Sequence, residues 1–176
     1  MIIEMNNPDL ASFEESEDLK VVVAYEDWSA AMCAKTLLNK IGRQCGDCGR
    51  LVYSMWKFQV LSEPILLNMA ATEAKAADII IISASNGQQL PTAVRRWMNR
   101  CFATRKKHHS ALVALVRTNK QNPTLPQAIR PCLEQMAKAA GMDFFWQNSP
   151  DAEFHDLSST APRYPVFQTR AQAMIY

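Results

Sequence analysis

Residues 79–82 are four consecutive isoleucines, set between Asp78 and the largely polar run Ser83-Ala84-Ser85-Asn86-Gly87-Gln88-Gln89. A strand open to water on one side alternates apolar and polar residues, so an unbroken branched apolar run demands cover on both faces. That is the situation of a parallel strand between two helix layers. The run therefore reads as the central strand of an α/β sheet, and the loop after it lies at the strand's carboxyl end, where open α/β sheets place their ligand sites.

A chain of 176 residues with 48% apolar content has enough material for one full core, and one domain is expected. Its apolar runs fall far short of the roughly 20 residues of a membrane span. Met1-Ile2-Ile3-Glu4 lacks the basic start of a signal peptide. A cytoplasmic protein without membrane association is the expectation. Five cysteines, an odd number, point to thiols rather than a disulfide framework. The net charge is +2, but the signs are segregated. Residues 1–19 hold Glu4, Asp9, Glu14, Glu15, Glu17 and Asp18 with no base, whereas residues 79–133 hold only bases. Arg95, Arg96, Arg100, Arg105, Lys106 and Lys107 form the densest part of that stretch and read as a basic surface.

Around the central strand, β-branched Leu19–Tyr25 reads as a first buried strand, and a helix from Ser29 to Arg43 follows, its stripe made by Ala30, Ala34, Leu37, Leu38 and Ile41. Gly42 is placed to terminate it. Leu51–Trp56 alternates and belongs nearer a sheet edge. A second helix is expected from Ser62, as N-cap, to Ala76, with Pro64 in its first turn and Ile65, Leu66, Met69 and Ala70 buried. Pro91 opens a third helix that buries Leu90, Val94, Trp97, Met98 and Cys101. Ala111–Val116 is the fourth strand, Ile129 to Ala140 a fourth helix that Pro131 starts or kinks and Gly141 stops, and Asp143–Gln147 the fifth strand.

Strand and helix alternate over 19–147, and right-handed crossovers then give a parallel sheet with helices on both faces. Five strands at this spacing favour the order 2-1-3-4-5, a three-layer flavodoxin-like fold shared with response-regulator receivers. Residues 1–18 are read as an acidic arm, 19–148 as the domain, and 149–176 as an extended tail replacing a fifth helix, because Pro150, Pro162 and Pro165 interrupt it. Its apolar residues should pack either on the chain's own first and fourth helices or on the same region of a second copy, and a homodimer with exchanged arms is the expected assembly.

That strand order brings Tyr25, Glu26, Asp27 and Trp28 beside Ser83, Ser85, Asn86 and Gln88, with Arg117 after the neighbouring strand. The segment Ser85-Asn86-Gly87-Gln88-Gln89-Leu90-Pro91-Thr92-Ala93-Val94-Arg95 resembles the loop and helix start with which NAD(P)H-dependent flavin reductases of the flavodoxin-like superfamily line the flavin ring. The resemblance implies FMN and a small oxidoreductase. It covers about a dozen residues, and the family's first loop, rich in Gly, Ser and Thr for the flavin phosphate, is here Tyr25-Glu26-Asp27-Trp28. Glu26-Asp27 also resembles the acidic pair of a receiver, but Ser83-Ala84-Ser85 stands where the phosphoacceptor Asp belongs, and Gln147-Asn148 where a Lys is expected.

The plainer readings are a helix start for Glu26 and Asp27, where negative charge is favourable, and unliganded thiols for Cys45 and Cys48, half of a zinc knuckle without a second pair. Trp97 falls on a core face, so the basic third helix lacks a stacking platform and nucleic acid is not expected. Two functions stay open. The first is a binding or regulatory module that is non-catalytic and holds no cofactor or metal, with an unidentified protein partner. The alternative is a small flavin-dependent NAD(P)H oxidoreductase. If the crevice is not a flavin site, Glu26 or Asp27 should approach Arg117 or the backbone of Ser85 and Asn86.

Overall fold

The isoleucine run does form the middle of the sheet. In a computed structural model describing residues 18–45, 50–85, 89–103, 105, 109–117 and 128–149, strands β1 (Leu19–Tyr25), β2 (Leu51–Lys57), β3 (Ile79–Ala84), β4 (Ala111–Arg117) and β5 (Asp143–Ser149) pair in parallel in the order β2-β1-β3-β4-β5. Helices α1 (Trp28–Cys45), α2 (Pro64–Ala76), α3 (Thr92–Phe102) and α4 (Arg130–Ala139) alternate with them, and a short 3-10 segment, Phe58–Ser62, leads into α2. This is the flavodoxin-like arrangement. The arm at 1–17 and the tail at 150–176 lie outside the described residues. No helix among those described is long and apolar enough to cross a membrane.

The pleat divides the isoleucines. Ile80 and Ile82 enter the core shared with α2, α3 and α4, Ile81 enters the core beneath α1, and Ile80, Ile81 and Ile82 are all solvent-inaccessible. Val94, Trp97, Met98 and Cys101 are buried from α3, as their spacing requires, and Ile129, Leu133 and Ala137 from the α4 region. Burial pushes the Cys101 thiol up to about 12, against a smaller pull from Arg105. At the amino end of the sheet Asp78 ties three strands: its N–H donates to Lys20 O (2.7 Å), its carboxylate accepts from Lys20 N–H (2.8 Å), and its carbonyl accepts from Ala111 N–H (2.9 Å).

Three local expectations are corrected. The α2 face is rotated: Leu67, Ala70, Ala71 and Ala74 are buried while Ile65 and Met69 are exposed. Glu63, not Ser62, occupies the N-cap position, because Ser62 is used in the 3-10 segment and Pro64 starts the helix. Gly42 does not end α1, which continues to Cys45. Gly141, at φ 66°, does end the α4 region, and Pro131 sits in the first turn of α4 and starts it.

Candidate functional site

Tyr25 and Ser83 are register partners at the carboxyl ends of β1 and β3, and the chain turns from Tyr25 into α1 through Glu26 and Asp27. Glu26 N–H donates to Ser83 O (3.0 Å), which sets the turn against the central strand. Asp27 then caps α1. Its Oδ1 accepts from Ala30 N–H (2.8 Å) and from the Ser85 hydroxyl (2.8 Å), and its carbonyl accepts from Ala31 N–H (2.9 Å). Glu26 Oε2 accepts from Ser85 N–H at 2.8 Å. The expected approach of the acids to the Ser85 backbone is therefore present. Arg117, from the end of β4, donates through Nη1 to the Ser29 hydroxyl in the first turn of α1.

The electrostatics follow from these partners. Burial pushes the Asp27 carboxyl up, but the Ala30 N–H, the Ser85 hydroxyl, the Arg117 guanidinium and the Ser29 N–H together hold it below the ordinary carboxylate range. Burial raises the neighbouring Tyr25 hydroxyl above its usual value. Ser83, one of the three residues that stand where a receiver's phosphoacceptor is expected, is 1% exposed and donates its hydroxyl to Ala30 O at 2.8 Å, tying β3 to α1. Trp28, at the start of the helix, is 72% exposed beside this polar floor.

Of the predicted crevice residues, Glu26, Asp27, Ser83, Ser85 and Arg117 are joined directly or through α1, and Trp28 stands at the rim. Asn86 and Gln88 lie outside the described residues, as do Lys106 and Lys107 of the basic stretch and Cys48. Arg95, Arg96 and Arg100 are exposed on α3. Arg105 departs from its expected surface role. It is half-buried and donates to Ala74 O (2.7 Å), Ala77 O and Ser110 Oγ (3.2 Å), so it caps the carboxyl end of α2. Burial lowers its proton affinity, with Cys101 and Asp78 opposing. Sequence patterning missed Ser29, whose hydroxyl meets Arg117.

A flavodoxin-like crevice implies FMN, whose phosphate would rest at the α1 start. Three donors described there are already given to carboxylates, Ala30 N–H and the Ser85 hydroxyl to Asp27 and Ser85 N–H to Glu26, while Arg117 donates to the Ser29 hydroxyl. An anion in that place meets the carboxylates of Glu26 and Asp27, which already hold these donors, so this arrangement of the described residues does not suit a phosphate.

No protein-family model matches the chain, and no curated protein matches it in sequence. Solved structures do resemble it. A short-chain flavodoxin associated with a non-canonical PDU bacterial microcompartment is similar at a TM-score of 0.52 and 11% identity, over 75% of this chain and 84% of that one. The general stress protein 14 of Treponema denticola, in complex with FMN, is similar at a TM-score of 0.43 and 10% identity, over 74% and 84%. The first of these likenesses shows the flavodoxin-like fold.

Proposed function

We propose that this chain is a non-catalytic flavodoxin-like module that binds a protein partner, with its phosphate position filled by its own side chains. One observation carries the reading: Asp27 caps α1 and grips Ser85 at 2.8 Å, while Glu26 takes the Ser85 N–H at 2.8 Å. A carboxylate about 4 Å from each unit of phosphate charge costs on the order of 4 kcal/mol at an effective dielectric constant near 20. That is roughly a thousandfold in affinity. Burial of the Ser83 hydroxyl on Ala30 O argues in the same direction against phosphotransfer. The exposed Trp28 and the arginines of α3 supply the aromatic and basic groups that protein interfaces favour.

The competing reading, a small flavin-dependent NAD(P)H oxidoreductase with FMN, draws on the flavodoxin-like fold and on the resemblance of residues 85–95. A visible absorbance spectrum of the purified protein, followed by titration with FMN, separates the two. The module should be colourless and bind FMN no tighter than millimolar concentration. Asp27→Ser together with Glu26→Gln should then improve FMN binding. A yellow preparation carrying stoichiometric flavin overturns the proposal.

A further inference from the structure

Among the described residues, the sheet face beneath α1 is covered on one half and bare on the other. Val21, Val23, Ile81 and Leu115 are buried there, but toward the β5 edge the cover ends. Val113 is half-buried, and its register partner Phe145 is 55% exposed. Asp143 and Gln147, which share the Phe145 face, are exposed as well. On the opposite face Phe144 and Trp146 pack against the large core, so β5 is closed on one side only. A parallel strand with one bare face lacks the cover that such sheets require.

We infer that residues 150–176 of the same chain run back over this strip as an extended strap, seating apolar side chains on Phe145 and Val113. The chain leaves β5 at Ser149, at the carboxyl end of the strip itself. The 27 residues of 150–176 reach about 90 Å when extended. A seven-residue strand such as β5 spans only about 23 Å, so the strap has length to run the strip and to turn. It carries Phe154, Tyr164, Val166, Phe167, Met174 and Ile175, while Pro150, Pro162 and Pro165 forbid one continuous helix. Prolines also lack the donors of a ladder, which favours lying across the face over adding a sixth strand. The tether decides between a chain's own tail and that of a second copy, because a segment linked at the edge of its site acts at roughly millimolar effective concentration.

The test places a photoreactive benzoylphenylalanine at position 145 of the full-length chain, and in a second variant at position 143 in case the first perturbs the fold. Irradiation followed by mass spectrometry of the digest should find cross-links into residues 150–176 at monomer mass, with a yield independent of protein concentration. The same probe at position 65, exposed on α2 in the opposite layer, should give none into the tail. Cross-links joining two chains would assign the face to a second copy and overturn the strap. So would equal labelling of the tail from position 65, or no tail peptide from either β5 position.

Discussion

The two faces of the sheet are closed by different means. Toward α2, α3 and α4, the buried cluster of described residues numbers 25, with Trp97, Met98, Leu61 and Leu133 among its fully buried members. Beneath α1 the corresponding cluster numbers six, so that helix cannot be held by packing area alone. Partly buried residues such as Leu37 and Met55 add to it, and polar contacts tie the helix start as well: Ser83 Oγ to Ala30 O, Ser85 Oγ to Asp27, and Arg117 to Ser29. In this chain the described crevice residues are among those that anchor the thinner layer.

The comparison is tested most severely by adjacent residues of one strand. Ile80 and Ile81 are both inaccessible to solvent but point into the large and the small cluster respectively. Truncating a buried Ile to Ala costs about 2–5 kcal/mol, the upper end where the surroundings cannot relax into the cavity. Ile80→Ala should lose about 4 kcal/mol, in a layer locked by three helices. Ile81→Ala should lose about 3 kcal/mol, since a single helix can settle toward the gap. Urea denaturation of both variants checks the order, and an Ile81 loss exceeding that of Ile80 would mean that the α1 layer is as tightly closed as the other.

Next in size is Arg105, which fastens the thicker layer. Its guanidinium meets two carbonyls at the end of α2 and the Ser110 hydroxyl, and Ser110 O in turn accepts from Asp143 N–H at 2.9 Å. Arg105→Met keeps the aliphatic stem but removes the donor to Ala77 O, while Ala74 O retains only the 3.3 Å bond from Ala77 N–H, which should cost about 2 kcal/mol. Arg100→Met, exposed on α3, should cost under about 0.5 kcal/mol. Thermal melts of the two variants would break the distinction if they moved equally.

That contrast marks where the sequence stopped being informative. Arg100 and Arg105 look alike in a basic run, because what separates them is a pair of backbone carbonyls 28 and 31 residues away, and carbonyls leave no trace in a sequence. The α2 stripe differs from expectation too: Ile65 and Met69 are the more hydrophobic choice, but Leu67, Ala70, Ala71 and Ala74 are the ones buried. By contrast, the strand order was legible from the alternation of strand and helix, and cover on both faces of the central strand from four isoleucines between polar residues. Strand order also brought Glu26, Asp27, Ser83 and Ser85 together, but which donor each carboxylate takes depends on loop geometry.

The smallest expected effect concerns the charge that pins the thinner layer. Asn caps a helix about as well as Asp, so Asp27→Asn keeps the cap and removes only the negative charge facing Arg117 and Ser85. At neutral pH the loss should be about 0.5 kcal/mol, the size of a partly exposed charge at a helix start. The sign of its pH dependence follows from the lowered pKa of Asp27. A carboxyl more acidic in the folded chain than in the unfolded one stabilises the fold fully above its unfolded value, near 3.9. The contribution fades as pH falls through the folded value, where both states become protonated. The stability gap between wild type and Asp27→Asn should therefore be constant from about pH 7 to 5 and close below about pH 4. A gap that persists at pH 3 would show that the carboxylate holds α1 by geometry alone, and the charged contact with Arg117 would drop out of the account of how the thin layer stays in place.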